Sequence, residues 1–264
     1  MKMIFDVHTH AFPEKIAEAA IGQLSYKSGG LSPSHNGTFE GLSSFMKEQG
    51  VDGFAIQNIA TNPRQMKKVN DFAASCKGEK VFPFGSVHPD APDALEELCR
   101  IKELGLRGIK LHPDYQGFFV DEERMRPIYK RASELSLVIL FHAGYDFGFP
   151  APYHCMPESL ARALKYIDTP VIAAHWGGVT VGAEVIRCLC GLPLYFDTSF
   201  GYGTKPRSEA MEIIERHGTE KMLFGSDSPW HTPEGELRLL STLSLSESEL
   251  ADITYNNAKK LLNF

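Results

Sequence analysis

Short apolar, β-rich stretches alternate along the chain with longer stretches in which apolar residues recur every three to four positions. Eight segments read as strands: Ile4 to His8, Gly53 to Ile59, Val81 to Val87, Gly108 to His112, Val138 to Ala143, Val171 to Trp176, Leu194 to Ser199 and Met222 to Asp227. Helical spacing runs over Phe39 to Gln49, Arg64 to Cys76, Ala91 to Leu104, Glu122 to Leu135, Pro157 to Tyr166, Val181 to Cys190, Pro206 to His217 and Glu247 to Leu262. Such alternation predicts a parallel sheet, because neighbouring parallel strands must be joined by a crossover that lays a helix on the sheet. Gly50, Gly78, Gly105, Gly191 and Gly218 stand where a left-handed residue would end a helix. Eight strands close a barrel, and 264 residues leave about 33 for each strand, helix and pair of loops. The expected fold is therefore an α/β (β/α)8 TIM barrel, a single domain over residues 1–264. The stretch 11–38, which includes Ser28-Gly29-Gly30-Leu31-Ser32-Pro33, reads as a long first loop, either a lid or an insertion.

Composition narrows the function classes. With 27 basic and 33 acidic residues the net charge is -6, which lacks the cationic excess of a nucleic-acid or membrane-surface binder. A small-molecule substrate is the expected partner, with homo-oligomerisation left open. No apolar run reaches the roughly 18 to 20 residues that span a bilayer, and the start Met1-Lys2-Met3-Ile4-Phe5-Asp6 meets an acid too soon for a secretory leader. Cytoplasmic residence is the expectation. The five cysteines, Cys76, Cys99, Cys155, Cys188 and Cys190, are odd in number and form no C-x-x-C pair, so they read as reduced thiols.

Strand parity then locates the chemistry, since alternate residues of a strand face opposite sides. In Ile4 to His10, Phe5 and Val7 read as helix-facing, which turns Asp6, His8 and His10 inward. The same alternation turns His142, His175 and Asp227 inward, each at the C-terminal end of its strand. Active sites of such barrels are built at that rim. Imidazoles and a carboxylate are the ligand set of zinc and related divalent ions, and gathering so many polar groups without an ion to satisfy them would be costly. Lys110 and His112 share the inward parity of the fourth segment.

Taken together, Asp6-Val7-His8-Thr9-His10, Phe141-His142-Ala143, Ala174-His175-Trp176-Gly177-Gly178, Gly225-Ser226-Asp227-Ser228-Pro229 and the closing Asn256-Asn257-Ala258-Lys259-Lys260 resemble the metal-dependent amidohydrolase superfamily. Within it the chain is similar to the amidohydrolase-related (amidohydrolase 2) branch and to aminocarboxymuconate-semialdehyde decarboxylase. The resemblance implies one divalent metal, zinc, on His8, His10, His142 and Asp227, with His175 beside it as an acid or base. In other branches the two later histidines bind a second metal bridged by a carboxylated lysine, and Lys110 keeps that arrangement open.

The ligand set serves two reactions. One is hydrolysis of an amide, ester or lactone by metal-activated water, with Asp227 and His175 as catalytic residues. The other is non-oxidative decarboxylation of an aromatic or unsaturated carboxylate, which calls for a basic residue at the carboxylate; Lys110, Arg64 and Arg207 are the candidates. A non-catalytic binding protein would need a broken ligand set, and this one is intact. Lys110, His112, Trp176 and Trp230 are expected to bind substrate in a pocket made partly aromatic by Phe12, Tyr145, Phe147, Phe149 and Tyr153. Asp197 reads as a hydrogen-bond partner for a neighbouring histidine. His88, His154 and His231 lie near the rim, and His35 and His217 read as surface residues.

Overall fold

The structure, a computed structural model, describes residues 3–264; Met1 and Lys2 lie outside it. Among the described residues there are seven strands, β1 (Phe5–Thr9), β2 (Gly53–Ile56), β3 (Gly108–Leu111), β4 (Val138–Phe141), β5 (Val171–Ala173), β6 (Tyr195–Asp197) and β7 (Met222–Leu223), all paired in parallel. They fall into a pair, β1-β2, and a run of five, β3 to β7. The third predicted strand, Val81 to Val87, forms no regular ladder. It bridges the two sheets through single pairings, Phe54 with Val81, Gln57 with Phe84 and Gly85 with Ile109. On the other side Thr9 pairs with Ser228, and the His8 carbonyl accepts the Asp227 N–H at 2.8 Å, which closes the ring. The fold is a TIM barrel.

Its helices are α1 (Glu14–Lys27), α2 (Phe39–Glu48), α3 (Met66–Ser75), α4 (Ala94–Glu103), α5 (Pro113–Gln116), α6 (Arg126–Glu134), α7 (Pro157–Ala163), α8 (Gly182–Cys188), α9 (Arg207–His217), α10 (Pro233–Thr242), α11 (Glu247–Ala251) and α12 (Asn257–Leu262), with a π-helical turn joining the last two. Three were not anticipated: α1, the single turn α5, and α10. The long first loop contains α1, a run of Ala, Glu and Lys with strong helix propensity but only Ala17 and Ile21 buried, so its apolar period is faint. The excursion is pinned at its base, where the Phe12 N–H donates to the Gly37 carbonyl at 2.8 Å. Helix α10 starts on a Thr232 cap followed by Pro233, a legible start signal whose periodicity is weak. None of the helices of the described residues is long and apolar enough to cross a membrane.

Packing shows which face is which. Ile139, Phe141, Ala173, Phe196 and Phe224 share a core with helical Leu98, Ile128, Leu160, Val185 and Ile213, the layer between barrel and helices. Each of the larger side chains among them, Ala173 excepted, stabilises the fold by roughly 1.5–3 kcal/mol relative to exposure. The alternate residues Leu140, Ile172 and Leu223 form an inner cluster with Phe5, Val7, Ala258 and Leu262. Phe264 stacks on Phe5 with ring centroids 4.6 Å apart, so the end of the chain covers the barrel mouth where the strands begin. Phe5 and Val7 thus face inward, contrary to simple parity. The cause is a register shift: Asp6 lies opposite Phe54 but Thr9 opposite Ile56, so β1 carries one extra residue, a bulge. Beyond it the facing changes, and His8 joins the interior above Val7.

Two surface assignments are also corrected. His217 is 4% exposed; its Nε2 donates to the Leu194 carbonyl at 3.0 Å and its Nδ1 accepts the Gly191 N–H at 3.1 Å, with the ring stacked on Phe196. His35 is half-buried and its Nδ1 accepts the Gly37 N–H. All five cysteines are free, Cys76 and Cys155 being buried.

Candidate metal centre and active site

The strand ends on one side of the barrel are held in unusual backbone. His175 and Trp176 after β5, Phe200 after β6 and Asp227 after β7 all have φ between 57° and 65°, the left-handed region that non-glycine residues avoid. At the first of these the alternation of β5 is lost: Ala173 packs on the helices, yet His175 turns to the interior and Trp176 to the core. His175 therefore reaches the site through its backbone conformation and not by strand parity.

His8 and His10 come from the bulged β1. The Nδ1 of His8 lies 2.8 Å from Oδ2 of Asp197, and the Nδ1 of His10 lies 2.9 Å from the Gln57 carbonyl. Carboxylates and carbonyls only accept, so both Nδ1 atoms carry the proton and both Nε2 atoms present lone pairs. Those lone pairs face Oδ1 of Asp227, at 3.4 Å from His8 and 3.0 Å from His10. Acceptors packed this closely in a buried site require a cation or a shared proton between them. Burial would raise the Asp227 pKa, but the His10 contact and the fields of His8 and His175 hold it well below the usual carboxylate range. Asp197 is depressed likewise: burial is outweighed by His8, His175 and Ser199.

A second pair of donors adjoins the first. His142 donates from Nε2 to the Tyr145 carbonyl at 3.2 Å, leaving a lone pair on Nδ1. Ser199 gives its hydroxyl proton to Asp197 and accepts from Nδ1 of His175 at 2.8 Å, leaving a lone pair on Nε2. These two nitrogens face each other at 3.1 Å. Burial, first of all, pushes both histidines well below the ordinary imidazole pKa. The structure brings His8, His10 and Asp227 within one ligand-sized group and leaves His142 outside it, beyond His175.

Lys110 adjoins the first group, 1% exposed, with Nζ 3.1 Å from Nε2 of His8. Burial lowers its pKa to about 8. His112 stacks on His142, rings 4.0 Å apart, and its Nε2 meets Oδ2 of Asp146 at 3.1 Å. Asp6 sits at the β1–β7 seam, accepting the His8 and Ser226 N–H groups, and burial raises its pKa to about 7.

Trp176 is corrected as a substrate residue: it is fully buried, and its indole N–H donates to the Thr198 carbonyl at 2.9 Å, so it presents no surface to a ligand. Trp230 is half-buried on the rim loop. His88 caps its own turn through the Asp90 N–H, and His154 binds the Pro113 carbonyl against Phe119, so neither joins the cluster. Arg64 is exposed, and Arg207 donates to the Thr242 carbonyl. Parity reasoning missed Ser199, Gln57, Asp146 and Glu236, which orient the histidines; their types carry no spacing signal of their own.

With this geometry in place, the sequence matches the Amidohydrolase family over residues 5–264. The chain belongs to the amidohydrolase family. Among curated proteins nothing matches this amidohydrolase. Solved structures share its fold at low identity. An uncharacterised TIM-barrel protein from Bordetella bronchiseptica superimposes with a TM-score of 0.78 at 18% identity, covering 99% of this chain and 98% of its own. The 5-carboxyvanillate decarboxylase of Sphingomonas paucimobilis gives 0.73 at 14% identity, and a probable 2-pyrone-4,6-dicarboxylic acid hydrolase from Acinetobacter baumannii gives 0.70 at 17%, each covering 100% of both chains.

Proposed function

We propose that this amidohydrolase hydrolyses an amide, ester or lactone of a small molecule, using a divalent ion, zinc, held by His8, His10 and Asp227 with His142 from the adjoining pair. The carrying observation is the His10 Nε2 to Asp227 Oδ1 contact of 3.0 Å, two acceptors whose other hydrogen bonds leave them nothing to donate. When bound, the ion supplies a hydroxide near neutral pH and polarises a carbonyl. The side chains supply the rest. Asp197 and the Gln57 carbonyl fix the imidazole tautomers. Asp227 stays ionised and so accepts the proton that the attacking water gives up.

The alternative is non-oxidative decarboxylation of an aromatic or unsaturated carboxylate; the Sphingomonas neighbour is by name a decarboxylase, of 5-carboxyvanillate. It needs an acid that protonates carbon and a cation for the carboxylate. His175 presents a lone pair to the cluster, Lys110 is engaged with His8, and Arg64 and Arg207 point elsewhere. These placements favour hydrolysis. The facing lone pairs of His142 and His175 are what would hold a second ion, and Lys110, its pKa lowered by burial to about 8, would be the amine able to take up carbon dioxide as a carbamate ligand. Metal analysis of protein purified without chelator separates the cases, one equivalent against two.

The deciding test is a screen of zinc-loaded protein against ester, lactone, amide and carboxylate libraries, with Asp227→Asn and His175→Asn as controls. Acid release that disappears in Asp227→Asn is expected. Carbon dioxide release from a carboxylate without ester, lactone or amide turnover would overturn hydrolysis.

A further inference from the structure

The side chains that would hold the ion are almost sealed. His8, His10 and Asp227 keep 1%, 13% and 11% of their side-chain surface accessible, and His142 and His175 are buried as well. An ion and a substrate both have to reach them, so what covers the mouth of the barrel controls entry.

The excursion that follows β1 reaches both sides of that mouth. Counting the irregular stretch 81–87 as the third place in the ring, β4 stands opposite β1, with β3 beside it. At the end of α1 the Lys27 ammonium lies 5.0 Å from the ring centre of Tyr115, which follows β3, and 5.3 Å from that of Phe149, which follows β4. Seven residues later the chain is back on the near side. There the Ser34 N–H donates to the Pro229 carbonyl at 2.8 Å, two residues beyond Asp227, and the neighbouring Ser228 carbonyl accepts the His10 N–H. Residues 28–31 are coiled against α1, since the Gly30 N–H donates to the Ser25 carbonyl and the Ser25 hydroxyl to the Leu31 carbonyl. Only the step from Leu31 to Ser34 remains to join the far rim to the near one, and so short a path runs directly over the mouth.

This cover is loosely held. Among the described residues, none of α1 belongs to the hydrophobic clusters of the barrel. Its two stems are tied to each other, by the Phe12 N–H on the Gly37 carbonyl and the pairing of Phe12 with Thr38, so the excursion is a closed loop that can swing on its base. Regions with so few apolar contacts open far more readily than the core. The closed position also leaves two donors unpaired. Nδ1 of His35 accepts the Gly37 N–H, so Nε2 carries the proton; that atom and the Ser34 hydroxyl are buried without a hydrogen-bond partner among the described residues. Lifting the segment exposes both to water, which favours opening.

We propose that residues 12–37 form a strap that shuts the mouth of the barrel and lifts to admit the ion and the substrate, with two latches, Lys27 on the Tyr115 and Phe149 rings and Ser34 on the Pro229 carbonyl. The inference rests on the metal centre proposed above and is independent of which reaction that centre performs. Closing the strap keeps bulk water from the cluster, which strengthens the electrostatic interactions inside it.

The far latch can be locked. A Cβ built on Gly148 stands 3.3 Å from Cβ of Lys27, within a few tenths of an ångström of disulfide spacing, and Gly148 lies outside the left-handed region. The test takes the double variant Lys27→Cys/Gly148→Cys, oxidised and reduced, with wild type and Lys27→Ala beside it. Metal-free protein is treated with diethyl pyrocarbonate, which acylates neutral imidazole, and His10 and His175 are followed by peptide mass spectrometry; zinc-loaded protein is followed for zinc release to a chelator. Oxidation is expected to slow both by about 10-fold or more, and dithiothreitol to restore them. Lys27→Ala, which loses the latch, should react roughly 2- to 5-fold faster than wild type. Equal rates in the oxidised and reduced forms would overturn the strap. So would modification of His10 and His175 no faster than that of His217, which is buried away from the mouth and reads unfolding of the whole chain. If the disulfide does not close, Lys27→Ala decides alone, and unchanged reactivity there overturns the inference. Wild type that takes up no zinc would sink the metal centre by itself, while imidazole modification still decides the strap.

Discussion

Lys110 and His217 show how single buried bases report on pH. The Lys110 amine titrates at about 8 in the fold, against about 10.5 in an unfolded chain, because burial disfavours its charge. The unfolded chain therefore binds that proton more tightly, and the penalty is full below about pH 8 and gone above about 10.5. Replacing it, Lys110→Met, is expected to raise the unfolding free energy from urea titration at pH 7 by about 3 kcal/mol, and to lose that advantage as the pH rises to 10.5. His217 behaves alike on a lower scale. Burial lowers its pKa to about 4, and the Gly191 N–H occupies the nitrogen that a second proton would need. Its stabilising contribution is complete above about pH 6.5 and is lost as pH falls to about 4. A urea series from pH 7 to 4 should show a shallower decline in His217→Gln than in wild type. The burial of His217 was invisible in the sequence because its only signature, a helix end next to a glycine, is shared with surface histidines.

The elements were legible where their period was strong. The inward facing of His142 and Asp227, which follow β4 and β7, comes from alternation, and helices such as α4 and α6 from their apolar stripe. Three things were not legible, each for a physical reason. The bulge in β1 changes facing without changing composition; the left-handed residues after β5 and β6 depend on tertiary hydrogen bonds; and α1 is helical by propensity with little to bury. The left-handed turn after β6 makes its own demand on the next residue. A Cβ on Gly201 would stand 2.4 Å from Nε1 of Trp176 and 3.0 Å from Oε2 of Glu236. Gly201→Ala is expected to cost about 1–3 kcal/mol in chemical denaturation. Turnover should fall with it, because the Glu236 hydrogen bonds to the Gly201 and Tyr202 N–H groups are displaced; Gly22→Ala, which likewise has no positive φ and meets nothing within 4 Å, is its control.

On the scale of the whole molecule the two ends of the barrel do different work. The end where strands begin is covered by α12 and Phe264 on an apolar interior; the end where they finish carries facing acceptors that an ion would reconcile. A ligand that binds only the folded chain stabilises it by mass action, so zinc at about 100 times its dissociation constant should add about 2.7 kcal/mol and raise the Tm by roughly 5–10 °C. Addition of a chelator should reverse the shift, and Asp227→Asn should abolish it. The extra residue in β1 is where these two ends meet, since it lets one strand offer Phe5 and Val7 to the dry half and His8 and His10 to the polar half. For protein design this makes the metal motif larger than its two histidines: on a regular strand that kept Phe5 and Val7 inward, His8 and His10 would point at the helices, so a graft of the whole segment must carry its inserted residue with it.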